Sequence, residues 1–483
     1  MERGRGLKLN RSLVCGLLLG LCSGLASGNP TGPQVVNGNV RFARPNPATL
    51  NIHNSPSAII NWRRFSINRN QTTRFIQHNA ASAVLNRVVG GNASAILGRL
   101  LSNGRVFLIN PNGIVFGRNA VVNTQGLIAS TLNLTNQNFL AGKYQFEAGA
   151  KAGAIKNQGL IRSAPGGEVI LIAPSVENSG IIQADDGKLI LAAGRKVTFT
   201  SLDAGGVKFE VQAPDDSVVN LGELIAKRGT IGAFAGTLKN TGRIEASGIG
   251  TDAAGNIVLT AQADVSLGDT SVVDASGATG GDIRIESQAG TSMIGGEVAA
   301  RGAAGKGGNI QLLGERVGVT GKVDASGATG GGKVLAGGDV QGQGEVPNAR
   351  QVAVAASAEI HADALVNGDG GKVVVFGKES AKVLGSLSAR GGAQGGDGGF
   401  VETSGLERFQ IDTSPDVGAP AGRGGTWLID PNDITINAGA GPNTNINQTG
   451  AFPPADQFFD ATDDSAIILL DNLIAALTDN TTV

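Results

Sequence analysis

The chain has 483 residues, a formal net charge of −1 and 75 glycines, about twice the usual glycine share, without the every-third-residue period of collagen. Charged residues make up 16% and read as spread along the chain, which excludes a nucleic-acid footprint and a polybasic membrane patch. Val, Ile and Thr are interspersed with Gly, Asn and Asp throughout, the composition of many short strands joined by tight turns.

Residues 1–28 read as a secretory signal peptide. Arg3, Arg5, Lys8 and Arg11 give a basic start, an apolar run covers residues 13–25, and Ala26-Ser27-Gly28 supplies a small-residue cleavage site. The run is broken by Gly16, Gly20 and Gly24 and falls well short of the ~20 residues of a spanning helix. Leu21 stands before Cys22 where a lipid-modified terminus would need a small residue. Both cysteines, Cys15 and Cys22, lie in this segment, so the mature chain has none. That suits a chain that must pass unfolded through a second membrane. Without the signal the balance is 35 basic against 39 acidic residues, and no segment of the mature chain is expected to span a membrane.

Residues 29–150 are richest in Asn, Arg and aromatics, with strands expected at 34–42, 49–52, 59–67, 73–77, 84–88 and 106–116. The last of these is two short apolar strands joined by Asn110-Pro111-Asn112-Gly113. Asn at i, Pro at i+1 and Gly at i+3 fit a type I turn, with Gly113 the most sensitive position if its φ is positive.

Three other segments accompany that turn in order: residues 58–67, residues 82–88 with Asn86 and Arg87, and residues 123–131. In this order and spacing they resemble the secretion domain of two-partner-secretion exoproteins, the filamentous haemagglutinin family, and within it the high-molecular-weight adhesin branch. The resemblance implies an all-β fold, a right-handed parallel β-helix (β-solenoid) with an N-terminal β cap. It also implies export through an outer-membrane transporter with periplasmic docking domains, and a host-cell or other surface receptor. Asn110, Pro111, Asn112 and Gly113, with Asn86 and Arg87, are the secretion-motif residues it points to. A second short motif of the family, Asn-Pro-Asn-Leu, is absent; Asn68-Arg69-Asn70-Gln71 stands near its place.

Residues 151–410 are repetitive, and the secretion domain is expected to continue to about residue 260. Asn157, Asn178, Asn220 and Asn240 each open an Asn-x-Gly head leading to an apolar pair, with starts 21, 42 and 20 residues apart. The 42-residue interval reads as two repeats. Val-Asp-Ala-Ser-Gly-Ala-Thr-Gly-Gly begins at Val273 and recurs at Val323, with a degenerate copy at Val298. A glycine-punctuated, strand-rich period of 20 to 25 marks a β-solenoid. The pairs Leu160/Ile161, Ile181/Ile182 and Leu224/Ile225 are expected to fill its interior. The Asn and Gly heads are expected at corners for their tolerance of left-handed backbone. Residues 155–409 leave room for roughly eleven coils, a rod of about 50 Å.

Residues 411–436 resemble the stretch that closes the solenoid in the high-molecular-weight adhesin branch, and their Leu-Ile-Asp-Pro-Asn-Asp echoes the opening Leu-Ile-Asn-Pro-Asn-Gly. Residues 437–483 read as an Asn/Thr-rich linker, then a stretch at 465–477 that suits a short helix capped by Asp464 or a strand at 467–470. The chain is either a piece of a longer exoprotein or a short one.

Signals for chemistry are weak. Asp185-Asp186 and Asp215-Asp216 precede expected corners, and His53, His78 and His361 lack metal-ligand spacing. Residues 367–371 and 395–399 only graze the nonapeptide of calcium-binding rolls. No catalytic, cofactor-binding or metal residue is assigned, and a non-enzyme is expected. Sequons stand at Asn70, Asn92, Asn133, Asn447 and Asn480; the resemblance favours Asn447 and Asn480 for glycosylation. Three functional readings remain: an exported adhesin, the same secretion domain carrying a toxin or haem-binding cargo, and a secreted carbohydrate-active β-helix enzyme.

Overall fold

In a computed structural model, residues 28–199, 216–411, 414–430, 434–437, 443–444, 466–469 and 482 are described. The strands are mostly three to seven residues long, and most of them pair in parallel with the strand one repeat further on. Asn157 stands beside Asn178, and Val273 beside Val298, which stands beside Val323. The repeats seen in the sequence are therefore successive coils stacked in register. Three long sheets result. The first has 15 strands, from Thr31–Asn37 to Thr426–Leu428; the second has 14, from Val40–Asn46 to Ser386–Ser388; the third has 13, from Ser94–Ile96 to Asn443–Thr444. Their inward side chains, among them Phe75, Leu100, Ile161, Val273 and Ile360, form one apolar core running the length of the β-helix.

At the N-terminal end Thr31–Asn37 and Val40–Asn46 run antiparallel to the first coil and cap it. The single strand expected over 34–42 is thus two strands, broken at Gly38, whose φ is +80°. Strands Ser94–Ile96 and Arg99–Ser102 had no strong periodicity to mark them, and were missed.

Three expectations need correction. Only one residue of each apolar pair faces inward: Ile161, Ile182 and Leu224 are buried, while Ile181 is 38% exposed. Strand side chains alternate, so a pair cannot share a face. The 42-residue interval is one coil, since Asn178 pairs directly with Asn220. The surplus chain leaves the coil as strand Lys196–Phe199, which runs antiparallel to Tyr144–Glu147 outside the solenoid. Counting both ends, the third sheet therefore has ten strands, not eleven, from Ile155–Asn157 to Arg408–Ile411.

The Asn-x-Gly corners also work differently from the expectation, since none of their asparagines or glycines has positive φ. The asparagines point inward and their amides form a ladder: Asn157 donates to Asn178, Asn178 to Asn220 and Asn220 to Asn240, at 2.8, 2.8 and 2.7 Å. Glycine is required because the coils approach closely. A Cβ at Gly222 would lie 2.1 Å from the carbonyl oxygen of Gly180.

Residues 131–154 leave the solenoid after strand Gly126–Ser130 and carry the one α-helix of the described residues, Asn136–Leu140, capped by Thr135. With strand Lys196–Phe199 they cover the outer face of the first sheet. A second apolar core fills the space between, with Leu85, Phe107, Ile170 and Ile190 below and Phe139, Phe146 and Phe199 above. Near the C-terminal end Ala466–Leu469, one of the two alternatives read there, is a strand paired with Ile434–Asn437.

Candidate functional site

Strand Arg105–Ile109 of the first sheet must turn into Ile114–Phe116 of the third, and Asn110 builds the turn. Its carbonyl accepts from the N–H of Gly113 at 3.1 Å. Its Oδ1 accepts from the backbone N–H and the Nδ2 of Asn112, both at 3.0 Å. Its own Nδ2 reaches the preceding coil, donating to the Asn92 carbonyl at 3.0 Å and to Ser94 Oγ at 2.9 Å. Asn112 Nδ2 donates to the Gly90 carbonyl at 2.8 Å. On the other side the N–H groups of Gly153 and Ile114 donate to Pro111 and Ala154, at 2.8 and 3.1 Å. The corner is thus tied to both neighbouring coils. Gly113 has φ +113°, and a Cβ there would lie 3.3 Å from the Ala154 carbonyl oxygen.

Asn110 is completely buried, so its role is to hold the corner. Pro111 and Asn112 are half-buried. They line a cleft of about 440 Å³ with Gly91 and Ala93 on one side and Lys151, Ala152 and Gly153 on the other.

Asn86 and Arg87 sit one coil earlier, paired with Leu108 and Ile109 immediately before the turn. Neither lines the cleft. Asn86 is buried, accepting from Trp62 Nε1 at 2.9 Å and donating to the Phe107 carbonyl at 3.2 Å. Arg87 points to the outer face, where its guanidinium bonds Asn136 Oδ1 at 2.7 Å and the Leu134 carbonyl. Burial lowers its pKa from the ordinary arginine value. It ties the coil to the covering excursion.

Of the sequons, Asn70, Asn92 and Asn133 are exposed, while Asn447 and Asn480 lie outside the described residues. Asp186 occupies a corner at φ +55° and pairs with Arg228 at 2.6 Å. Asp215 lies outside the described residues.

Charge is where the sequence reading fell short. Residues 29–150 hold eleven Arg and Lys against one acid, Glu147, while residues 151–483 hold 24 basic and 38 acidic residues. A count by segment, rather than over the whole chain, exposes the asymmetry.

Residues 26–292, more than half of the chain, match the family described as the TPS secretion domain. The chain belongs to this family. Among solved structures, the HMW1 secretion domain from Haemophilus influenzae superposes with a TM-score of 0.68 at 33% identity, covering 83% of this chain and 100% of that one. Two proteins named heme/hemopexin-binding protein, both of Haemophilus influenzae, are 35% identical over 228 and 158 residues. These matches cover 45% and 32% of this chain but only 24% and 17% of the relatives. The chain therefore spans about a quarter or less of the curated relatives it matches. Residues 26–292 are thus a TPS secretion domain, and exoproteins of this family are secreted across the outer membrane to the surface or the medium. Among the described residues no helix is long and apolar enough to cross a membrane.

Proposed function

We propose that this chain directs the export of a surface-binding exoprotein, an adhesin for a host-cell or other surface receptor. In this reading the corner at residues 110–113 and its cleft meet the periplasmic domains of the transporter. The observation that carries it is the division of labour in the corner: a buried Asn110 braces two coils while Pro111 and Asn112 remain accessible beside it. Asn86 and Arg87 serve the same site indirectly, by fixing the preceding coil and the excursion beside it.

Export of point variants tests this. Asn110→Ala and Gly113→Val should lower both the melting temperature and the amount exported. Pro111→Ala should melt as the parent does yet bind purified transporter periplasmic domains more weakly. Parental export of all three would reduce the motif to a turn and remove the support for this reading.

A second reading rests on the named relatives, which are heme/hemopexin-binding proteins. The same export apparatus then delivers a haem-acquisition surface. Retention of haem–hemopexin by the secreted protein, with no attachment to epithelial cells, would favour it over adhesion.

A further inference from the structure

The outer face of the second sheet carries two rows of side chains along the rod, one through Ile181 and one through Gln183. In the four strands before Ile181–Gln183 the charged members of these rows are Arg74, Arg99 and Arg162. All three are exposed, and none forms an ion pair among the described residues. In the four strands after it the rows hold Glu223, Glu245, Asp274 and Glu297, with Arg243 as their one cation. Apolar side chains stand outward between the two signs. Ile181 is 38% exposed, and Leu221, at the corner entering strand Glu223–Ile225, is 49% exposed.

The pattern is self-complementary. A two-fold axis normal to the face through strand Ile181–Gln183 exchanges the two rows and reverses the order of the coils. Arg162, one rung before the axis in the Gln183 row, then lies opposite Glu223, one rung after it in the Ile181 row. Arg99, three rungs before, lies opposite Asp274, three rungs after. Arg74, four rungs before, lies opposite Glu297, four rungs after. The same operation sets Leu160 against Ile225 and Leu101 against Val272. Asn123 meets Arg243, and Val121 meets Glu245, which Arg243 already holds at 2.8 Å. No like charges lie directly opposite. Sliding one copy by a single rung destroys the match. In one direction only Arg99 and Glu245 remain as opposed charges, and Arg243 falls on Leu101; in the other, Arg243 meets Arg162 and no opposite pair survives.

We infer that this face is an isologous interface on which a second copy of the chain docks antiparallel, with strand Ile181–Gln183 at the two-fold axis. A self-complementary patch is what a two-fold dimer requires. An anionic lipid surface or an acidic partner would suit the arginine end and be repelled at the carboxylate end, whereas a second copy satisfies both. The inference does not depend on the transporter reading: it needs stacked coils, and so concerns the folded, exported protein. The matched face is about 38 Å long at the coil spacing and roughly 10 Å wide, smaller than the ~800 Å² per partner of a standard interface. The dimer is therefore weak and concentration-dependent, with the charges setting its register.

Analytical ultracentrifugation of the secreted protein over a concentration series tests this. The parent should dimerise reversibly, at least tenfold more weakly at about 500 mM salt than at 50 mM. Arg162→Gln should melt as the parent does and dimerise about tenfold more weakly. The decisive pair is Arg162→Glu and Glu223→Arg. Each alone places like charges across the axis twice and should be monomeric. An equimolar mixture restores both pairs and should form a heterodimer with parental affinity, a rescue that a merely structural role could not produce. A parent that stays monomeric throughout the series overturns the inference; if it instead binds anionic phosphatidylglycerol vesicles and Arg162→Gln does not, the face belongs to lipid. Parental dimerisation of Arg162→Gln places any dimer contact elsewhere and equally overturns it. So does a mixture of the two charge-reversed variants that stays monomeric although both melt as the parent does.

Discussion

Ile181 and Ile182 stand side by side in strand Ile181–Gln183, yet one faces solvent and the other the solenoid core. Substituting Ile182 by Asp puts an unpaired carboxylate among the side chains of neighbouring coils and should cost several kcal/mol. Substituting Ile181 by Asp should shift the melting temperature by no more than a degree or two. Thermal denaturation followed by circular dichroism separates the two, and comparable losses would mean that the strand faces the other way. The presence of an apolar pair was legible in the sequence, but its facing was not. The preceding corner, Ser179-Gly180, interrupts the alternation that begins at Val176, and only the pairing of coils fixes where it resumes. The turn at Asn110-Pro111-Asn112-Gly113 was legible, but the positive φ of Gly113 was not, because a type I turn fixes the dihedrals of its two central residues and leaves the last one open.

The Asn-x-Gly corners carry an interaction that local sequence rules do not express. Their asparagines recur at irregular intervals, yet the structure brings all four into one continuous amide ladder. Asn178 stands inside it, donating to Asn220 and accepting from Asn157, whereas Asn240 ends it and donates to the Gly242 carbonyl. Asn178→Ala should therefore strand polar atoms on both sides and cost about 2–4 kcal/mol, and Asn240→Ala about half as much. Chemical denaturation of the two variants checks the order, and equal losses would show that the amides act independently. Beyond the ladder the same inward position is apolar, with Leu267 paired to Asn240 and Ile294 next. The repeat as a unit was readable from its period. The 42-residue interval was misread as two units because a strand that leaves the coil carries no mark distinguishing it from one that stays.

At the scale of the whole rod the two ends are held by different forces. The early coils gain a second apolar core beneath the excursion that packs Phe139, Phe146 and Phe199 on the first sheet. The later coils rely more on charge. Burial alone would raise the carboxyl of Asp324, but hydrogen bonds from Arg301 and Ser326 outweigh it and hold the pKa below the usual range. The Arg350 guanidinium does the same for Glu379, and the backbone and side chain of Arg423 for Asp397. A depressed folded pKa contributes stability that is present above the unfolded value near 4 and is lost as pH falls through the folded value. Glu402 acts in the opposite sense: burial raises its pKa, so its contribution is full below the unfolded value and declines as pH rises. The depressed groups outnumber it, and residues 29–150 contain a single acid. Because each coil of a solenoid is stabilised mainly by its neighbours, one end can open before the other. Acidification from pH 5 to about pH 2.5 should therefore remove hydrogen-exchange protection first from the coils beyond residue 297, while strands Ala83–Val88 and Arg105–Ile109 stay protected. Uniform loss along the rod, or earlier opening of the N-terminal coils, would show that the carboxylate pairs do not set the acid stability of the distal half.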